Sequence, residues 1–373
     1  MNFEQGPIRP PNEAESLFVR LTRNCPWNKC LFCNIYKNKT FSRRTVEEIR
    51  NDILAMKEAE EKVLSYALSL GEDEVTREVL QMVYNYAPDL LQIAFWLFRG
   101  GKNVFLQDAD CMIMPPEQLA EIISFIKEQF PSVKRVTTYG RTKSICKYTV
   151  EQLKMLKEAG LSRIHSGLES GYDPLLKFMN KGVTAEEHIQ AGLMVKEAGI
   201  SLCEYILLGF GGKRYWREHA MDTAIVLSTI DPHFVRIRTL AARRESPLQA
   251  YIESGEFQVQ NDDGLAMEER LFLQNFDGTG FIVSDHILNL LEEVQGQLPK
   301  DMEKIIGVVN SYLSLPPDER ANFSLGRRLG LYRFLKDRND PALFHQVEEV
   351  RLSLIKRGKD LEEFVSEYMS NYL

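Results

Sequence analysis

Residues 149–167 read TVEQLKMLKEAGLSRIHSG, and residues 184–209 read TAEEHIQAGLMVKEAGISLCEYILLG. The two stretches carry the same signals in the same order. Thr149 with Gln152, and Thr184 with Glu187, form capping boxes. In such a box the hydroxyl accepts from the third helical amide, and the longer side chain reaches back to the cap. Each helix closes on Lys-Glu-Ala-Gly, at Gly160 and Gly199, where glycine suits the turn out of a helix. An apolar run follows each time, Leu161 to Gly167 and Ile200 to Gly209. Thr45 with Glu48 opens another helix in the same way. Helix and strand alternating like this predict an α/β protein with a parallel sheet.

Working outward from these units, roughly six strands are expected. They fall near 16–22, 102–108, 134–140, 161–167, 200–209 and 233–240, with helices near 45–60, 116–129, 149–159, 184–197 and 216–229. Six such units predict a partial (βα)6 barrel over 1–245; a complete eight-unit barrel is the alternative. A helical insertion is expected at about 60–99, with apolar spacing at Val75, Val79, Met82, Val83 and Tyr86. Beyond 245 the rhythm changes, and 246–373 reads as a mainly helical region. Helices are expected over Pro247–Phe257 and Leu265–Asn275, then a short strand at Phe281–Val283 and three further helical segments.

Composition narrows the function classes. A formal net charge of −7 argues against a general nucleic-acid or anionic-membrane surface. The N-terminus lacks the basic start and apolar core of a signal peptide. The most apolar run, Leu90 to Phe98, is too short to span a bilayer. The expectation is a cytoplasmic protein with no membrane partner. Of the six cysteines, Cys111, Cys146 and Cys203 stand alone and read as small apolar residues.

The other three lie close together, as Cys25-Pro-Trp-Asn-Lys-Cys30-Leu-Phe-Cys33. A structural zinc site closes its tetrahedron with four protein ligands. Three thiolates leave a position vacant, which suits a 4Fe–4S cluster with one iron not held by cysteine. The loop follows the first expected strand and resembles the radical S-adenosylmethionine (SAM) superfamily, whose signature is C-x3-C-x-aromatic-C. Phe32 occupies the aromatic position, and the departure is one extra residue between the first two cysteines. Read residue by residue, the resemblance implies Cys25, Cys30 and Cys33 as cluster ligands. It also implies SAM as cofactor, a 5′-deoxyadenosyl radical as hydrogen abstractor, and a flavodoxin- or ferredoxin-type electron donor.

Parallel barrels keep their chemistry at the C-terminal ends of the strands. The second strand ends in Gln107-Asp108-Ala-Asp110, where the resembled family commonly has a Gly-Gly-Glu run for the SAM amino group. Asp108 and Asp110 are therefore candidates for that contact, and a solvated helix-capping loop is the plain alternative. The fourth ends in Gly167-Leu-Glu169-Ser-Gly171, which resembles the branch of anaerobic coproporphyrinogen oxidase and the elongator-type enzymes. That likeness implies Gly167 and Glu169 at SAM and Lys181 at its carboxylate; otherwise these are a turn and a surface charge. Gly209, in a glycine-rich turn after the fifth strand, is the remaining nucleoside-side candidate.

On the sixth strand, Arg236 and Arg238 alternate with Val235 and Ile237, so the arginines share the face expected to look inward. Buried guanidinium groups need partners. Either an anionic ligand or internal carboxylates such as Glu169 would serve. Asp285 reads as a helix cap, and His286 beside it as a candidate proton donor. With Arg236 and Arg238, it completes the catalytic candidates. A small-molecule substrate is expected, with tRNA modification as the alternative. A zinc-dependent hydrolase-like barrel and a non-catalytic metal or redox sensor are rival readings of the cysteines.

Overall fold

Hydrogen bonds at the helix starts hold the chain to the expected rhythm. Both halves of the capping box are made at Thr45–Glu48 and Thr149–Gln152, and at Thr184–Glu187. Gly160 and Gly199 close two helices at φ of 121° and 71°, a region that side chains with a Cβ rarely enter.

The computed structural model describes residues 3–370, so the outermost residues of the expected 1–245 and 246–373 regions lie outside the description. In chain order the strands are β1 (Leu17–Arg20), β2 (Thr22–Arg23), β3 (Ser42–Arg43), β4 (Asn103–Gln107), β5 (Arg135–Tyr139), β6 (Leu161–Glu169), β7 (Ser201–Leu208), β8 (Phe234–Thr239), β9 (Phe281–Val283) and β10 (Gly296–Gln297). Eight of them form one mostly parallel sheet, and β2 with β3 make a separate ribbon. All six strands expected from the repeat are present. Contacts divide the described chain into two compact units. One holds the chain up to Pro26, Asn38–Ser166 and Leu193–Leu202; the other holds Trp27–Lys37, Gly167–Gly192 and the chain from Cys203 onward.

In the first unit β1 pairs with β4, β4 with β5 and β5 with β6, all in parallel. Val104, Phe105 and Leu106 are all buried, as expected of a parallel strand covered on both faces. Helix α1 (Val46–Ser69) turns Ile49, Ile53, Met56 and Val63 inward along one stripe. It continues well past residue 60, so the insertion proper is α2 (Arg77–Tyr86) and α3 (Leu91–Phe98). Val75, Val79 and Val83 are buried as their spacing implies, whereas Tyr86 is exposed because α2 ends there and the chain turns at Ala87. Next come α4 (Pro116–Gln129), α5 (Thr142–Ile145) and α6 (Val150–Ala159). No helix among the described residues is long and apolar enough to cross a membrane.

Further along the chain lie α7 (Asp173–Phe178), α8 (Ala185–Glu197) and α9 (Gly212–Ile230). In the second unit β7, β8 and β9 pair in parallel, and β10 joins β9 antiparallel. The segment after β8 is more helical than expected. It contains α10 (Leu248–Glu253), α11 (Asp262–Asn275), α12 (Met302–Leu313), α13 (Pro317–Arg328), α14 (Pro341–Lys356) and α15 (Leu361–Ser370). Among the described residues four α-helices thus follow β10 where three were expected. Helix α11 starts earlier than expected because Asn261 caps it, accepting from the Gly264 amide at 2.9 Å.

Candidate active site

The second unit contains Cys30 and Cys33 on a loop with several fastenings. Trp27 Nε1 donates to the Asn180 carbonyl at 2.7 Å. The Leu31 amide donates to Met179 O at 3.0 Å, and Leu31 O accepts from the Leu248 amide at 3.0 Å. Phe32 stands edge-on to Phe210 with ring centroids 5.0 Å apart. Lys181 Nζ lies 5.8 Å from the centre of the Phe32 ring. The cysteine loop therefore rests on the segments that follow β6 and β7, which carry Lys181 and Gly209.

Cys25 belongs to the first unit and follows Asn24, which has φ of 68°. The Asn24 amide donates to Asp108 Oδ2 at 3.2 Å, and its side chain donates to Thr40 O at 2.6 Å. Cys25, Cys30, Cys33 and Cys146 are half-buried, while Cys111 and Cys203 are buried. Among the described residues, no three Cys, His, Asp or Glu side chains gather closely enough to hold a single metal ion. A cubane makes a different demand, because its thiolates bind separate irons. Three half-buried cysteines within nine residues of sequence are the right donor type for it.

At the end of β6, Glu169 takes φ of 62° and its carboxylate meets Lys181 Nζ at 3.1 Å. Gly167 permits this. A Cβ there would lie 2.4 Å from Glu169 Oε1 and 3.1 Å from Lys181 Nζ. Gly167, Glu169, Lys181 and Phe32 thus come together. Glu169 neutralises Lys181, so it is not the partner of the β8 arginines.

In the first unit, Asp108 and Asp110 are engaged within the protein. Asp108 is fully buried and accepts from Arg20 Nη2 at 2.7 Å. Asp110 accepts from the Arg141 amide at 3.0 Å and Ser144 Oγ at 2.6 Å, which ties it to the start of the short α5. Burial pushes the Asp110 carboxyl up to about 6 against those hydrogen bonds.

Gly209 follows β7 at φ of 80°, and its amide donates to Glu268 Oε1 at 2.8 Å. Burial raises Glu268 to about 8. Beside it, His219 Nε2 sits 3.2 Å from Leu207 O, and Nδ1 lies 2.8 Å from Ser170 Oγ. A carbonyl only accepts, so Nε2 carries the proton and Nδ1 accepts from the serine. Gly209 also borders a cavity of about 250 Å³ between Leu240, the start of α11 and helices α13 and α15.

Arg236 and Arg238 do share a face, and Val235 and Ile237 are wholly buried on the other. Their carboxylate is Asp285, which accepts from Arg236 Nη1 at 2.7 Å and Arg238 Nη1 at 3.0 Å. This corrects the reading of Asp285 as a helix cap, since residues 284–290 form no helix and the carboxylate is occupied by the arginines. Burial works to raise Asp285, but the two arginine charges outweigh it and hold the carboxyl below its ordinary value. Burial, then Arg238, depress His286 to about 4, so it is neutral at physiological pH. A neutral imidazole whose Nδ1 accepts from the Leu288 amide at 3.3 Å has one N–H to offer.

The sequence reading did not single out Trp27, Tyr205, Glu268 or Asp285 as site residues. Glu268 lies on a helix among other charged residues, and nothing local marks it. Tyr205 was open to discovery: it stands opposite Arg236 in the β7–β8 register.

A mostly parallel α/β sheet with a three-thiol loop after its first strand defines a class, the iron–sulfur enzymes built on a partial barrel. Residues 19–224 match the family described as the Radical SAM superfamily, and the chain belongs to it. Members are enzymes that use a 4Fe–4S cluster and SAM. Over 135 residues the chain is 30% identical to a biotin synthase from Gloeothece citriformis (strain PCC 7424), covering 35% of this chain and 34% of that protein. It is 22% identical over 239 residues to a putative methylthiotransferase from Methanocaldococcus jannaschii, covering 63% of this chain and 44% of that protein. The chain thus spans well under two thirds of these relatives' length. Among solved structures, coproporphyrinogen III oxidase from Escherichia coli is 13% identical at a TM-score of 0.40, with 96% of this chain and 90% of that chain covered.

Proposed function

We propose that this chain cleaves SAM reductively and uses the resulting radical to take a hydrogen atom from a small-molecule substrate. The observation that carries this reading is the fastening of the Cys30–Cys33 loop to the Glu169–Lys181 pair through Phe32, Met179 and Asn180. Cys25, Cys30 and Cys33 would hold the cluster, which when bound supplies the electron that splits the sulfonium bond. The aminoacyl end of SAM is a zwitterion. Glu169 offers an acceptor for its ammonium and Lys181 a donor for its carboxylate, so one ion pair orients both groups. Phe32 backs Lys181, and Gly209 leaves the turn after β7 without a side chain at the nucleoside end.

We read residues 1–245 as the partial barrel and 246–373 as the region attached to it. A cytoplasmic flavodoxin- or ferredoxin-type protein would deliver the electron. The net charge of −7 favours a small substrate over tRNA. The test is anaerobic reconstitution with iron and sulfide, followed by dithionite and SAM. Bound iron and sulfide near four of each per chain and released 5′-deoxyadenosine are expected, and Cys30→Ala should lose both. Stoichiometric zinc in a colourless protein, or a loaded cluster that leaves SAM intact, overturns the reading.

A further inference from the structure

We propose that Arg236 and Arg238, with Tyr205 beneath, form a binding site for the anionic group of a small molecule, a carboxylate or a phosphate. The two guanidinium groups share a single carboxylate. Asp285 takes one N–H from each, at 2.7 Å and 3.0 Å, which leaves one positive charge uncompensated. Arg236 is 6% exposed, and its Nε has no partner among the described residues; neither has Arg238 Nη2. Buried charged donors without acceptors are costly, and arginine is the side chain whose planar fork suits a dioxygen anion.

The neighbourhood adds further positive charge at Arg243, held by Asn34 Oδ1 at 3.2 Å. Arg327, which with Arg238 and Arg243 depresses His286, is itself paired with Glu292 at 3.3 Å. Tyr205 places its ring 5.1 Å from the Arg238 guanidinium carbon, which fixes the group by cation–π attraction while leaving its charge in place. Thr239 and Asn289 bond to each other at 3.1 Å and contribute no charge. The Asp285 side chain is 30% exposed, so solutes can reach the cluster. An incoming anion would sit beside Asp285, accept from the free N–H groups and restore charge balance. That this anion belongs to the substrate rests on the radical reading above; the binding itself does not.

The experiment uses the full chain, purified anaerobically, and reads thermal stability against malonate or inorganic phosphate at constant ionic strength set with chloride. A saturable rise in melting temperature is expected with one of the two, and which one identifies the group. Arg238→Gln should weaken the apparent affinity at least tenfold. Asp285→Asn, which removes the competing carboxylate, should tighten it severalfold and keeps the test valid if Arg238→Gln folds poorly. The proposal falls if neither anion stabilises the wild type beyond chloride, or if both variants titrate as the wild type does. SAM cleavage is scored separately, so either reading can fail alone.

Discussion

Lys181 Nζ stands 3.1 Å from Glu169 Oε1, and the pair closes over Gly167, where any side chain would collide with both. The pair is assembled from residues twelve apart, one in a left-handed conformation at the end of β6 and the other after α7. In the proposed reading each partner would meet the SAM zwitterion already oriented by the other.

Gly167→Ala is expected to break this arrangement without unfolding the protein. A Cβ 2.4 Å from the glutamate oxygen forces the carboxylate off Lys181. SAM affinity should fall about tenfold, equivalent to about 1.4 kcal/mol, while iron and sulfide content stays at the wild-type value. Equilibrium binding of SAM to the reconstituted protein checks it.

Gly182→Ala tests the fastening of the cysteine loop. Gly182 has φ of 73°, and a Cβ there would lie 2.4 Å from Trp27 Cζ2. The added methyl must displace the indole whose N–H holds Asn180 O. Iron loading should drop and air bleaching of the cluster should accelerate, with the far-ultraviolet circular dichroism unchanged.

Stability should fall as pH rises from about 5 to 8. Burial lifts Glu268 and Glu269 to about 8 from an ordinary 4.5. Between those values the folded chain binds protons that the unfolded chain has released. Each group's stabilising contribution is therefore complete below 4.5 and lost as pH climbs through 8, with a slope of at most ~1.4 kcal/mol per pH unit. Glu268→Gln keeps an oxygen for the Gly209 amide and cannot ionise. Its stability relative to wild type should rise with pH, as urea unfolding at pH 5, 6.5 and 8 would show. A constant difference across that range would refute the assignment.

Arg328→Met is expected to cost about 3–5 kcal/mol. The Arg328 side chain is 1% exposed and pairs with Asp262, itself 6% exposed. Removing the cation strands a buried carboxylate beside the Ser324 hydroxyl. Adding Asp262→Leu should recover a large part of the loss, because an apolar pair carries no desolvation penalty. Denaturant midpoints of the two variants decide it.

Much of the fold was legible without coordinates. The capping boxes at Thr45, Thr149 and Thr184, the glycines ending two helices and the six strands depend on neighbours within a few residues. The face shared by Arg236 and Arg238 follows from the two-residue period of a strand. The partner of those arginines did not follow from it. Glu169, offered by its strand-end position, is bound to Lys181, while Asp285 precedes no helix that it could cap. The same holds for Gly209, whose amide is held by a glutamate 59 residues away.

Helix starts, helix ends and strand faces were thus settled by the order of residues alone, since their energies arise within one turn or one pleat. Which charge meets which was settled by tertiary structure. Arg236 and Asp285 lie 49 residues apart, and only folding decides that they share a buried space in which each must find the other.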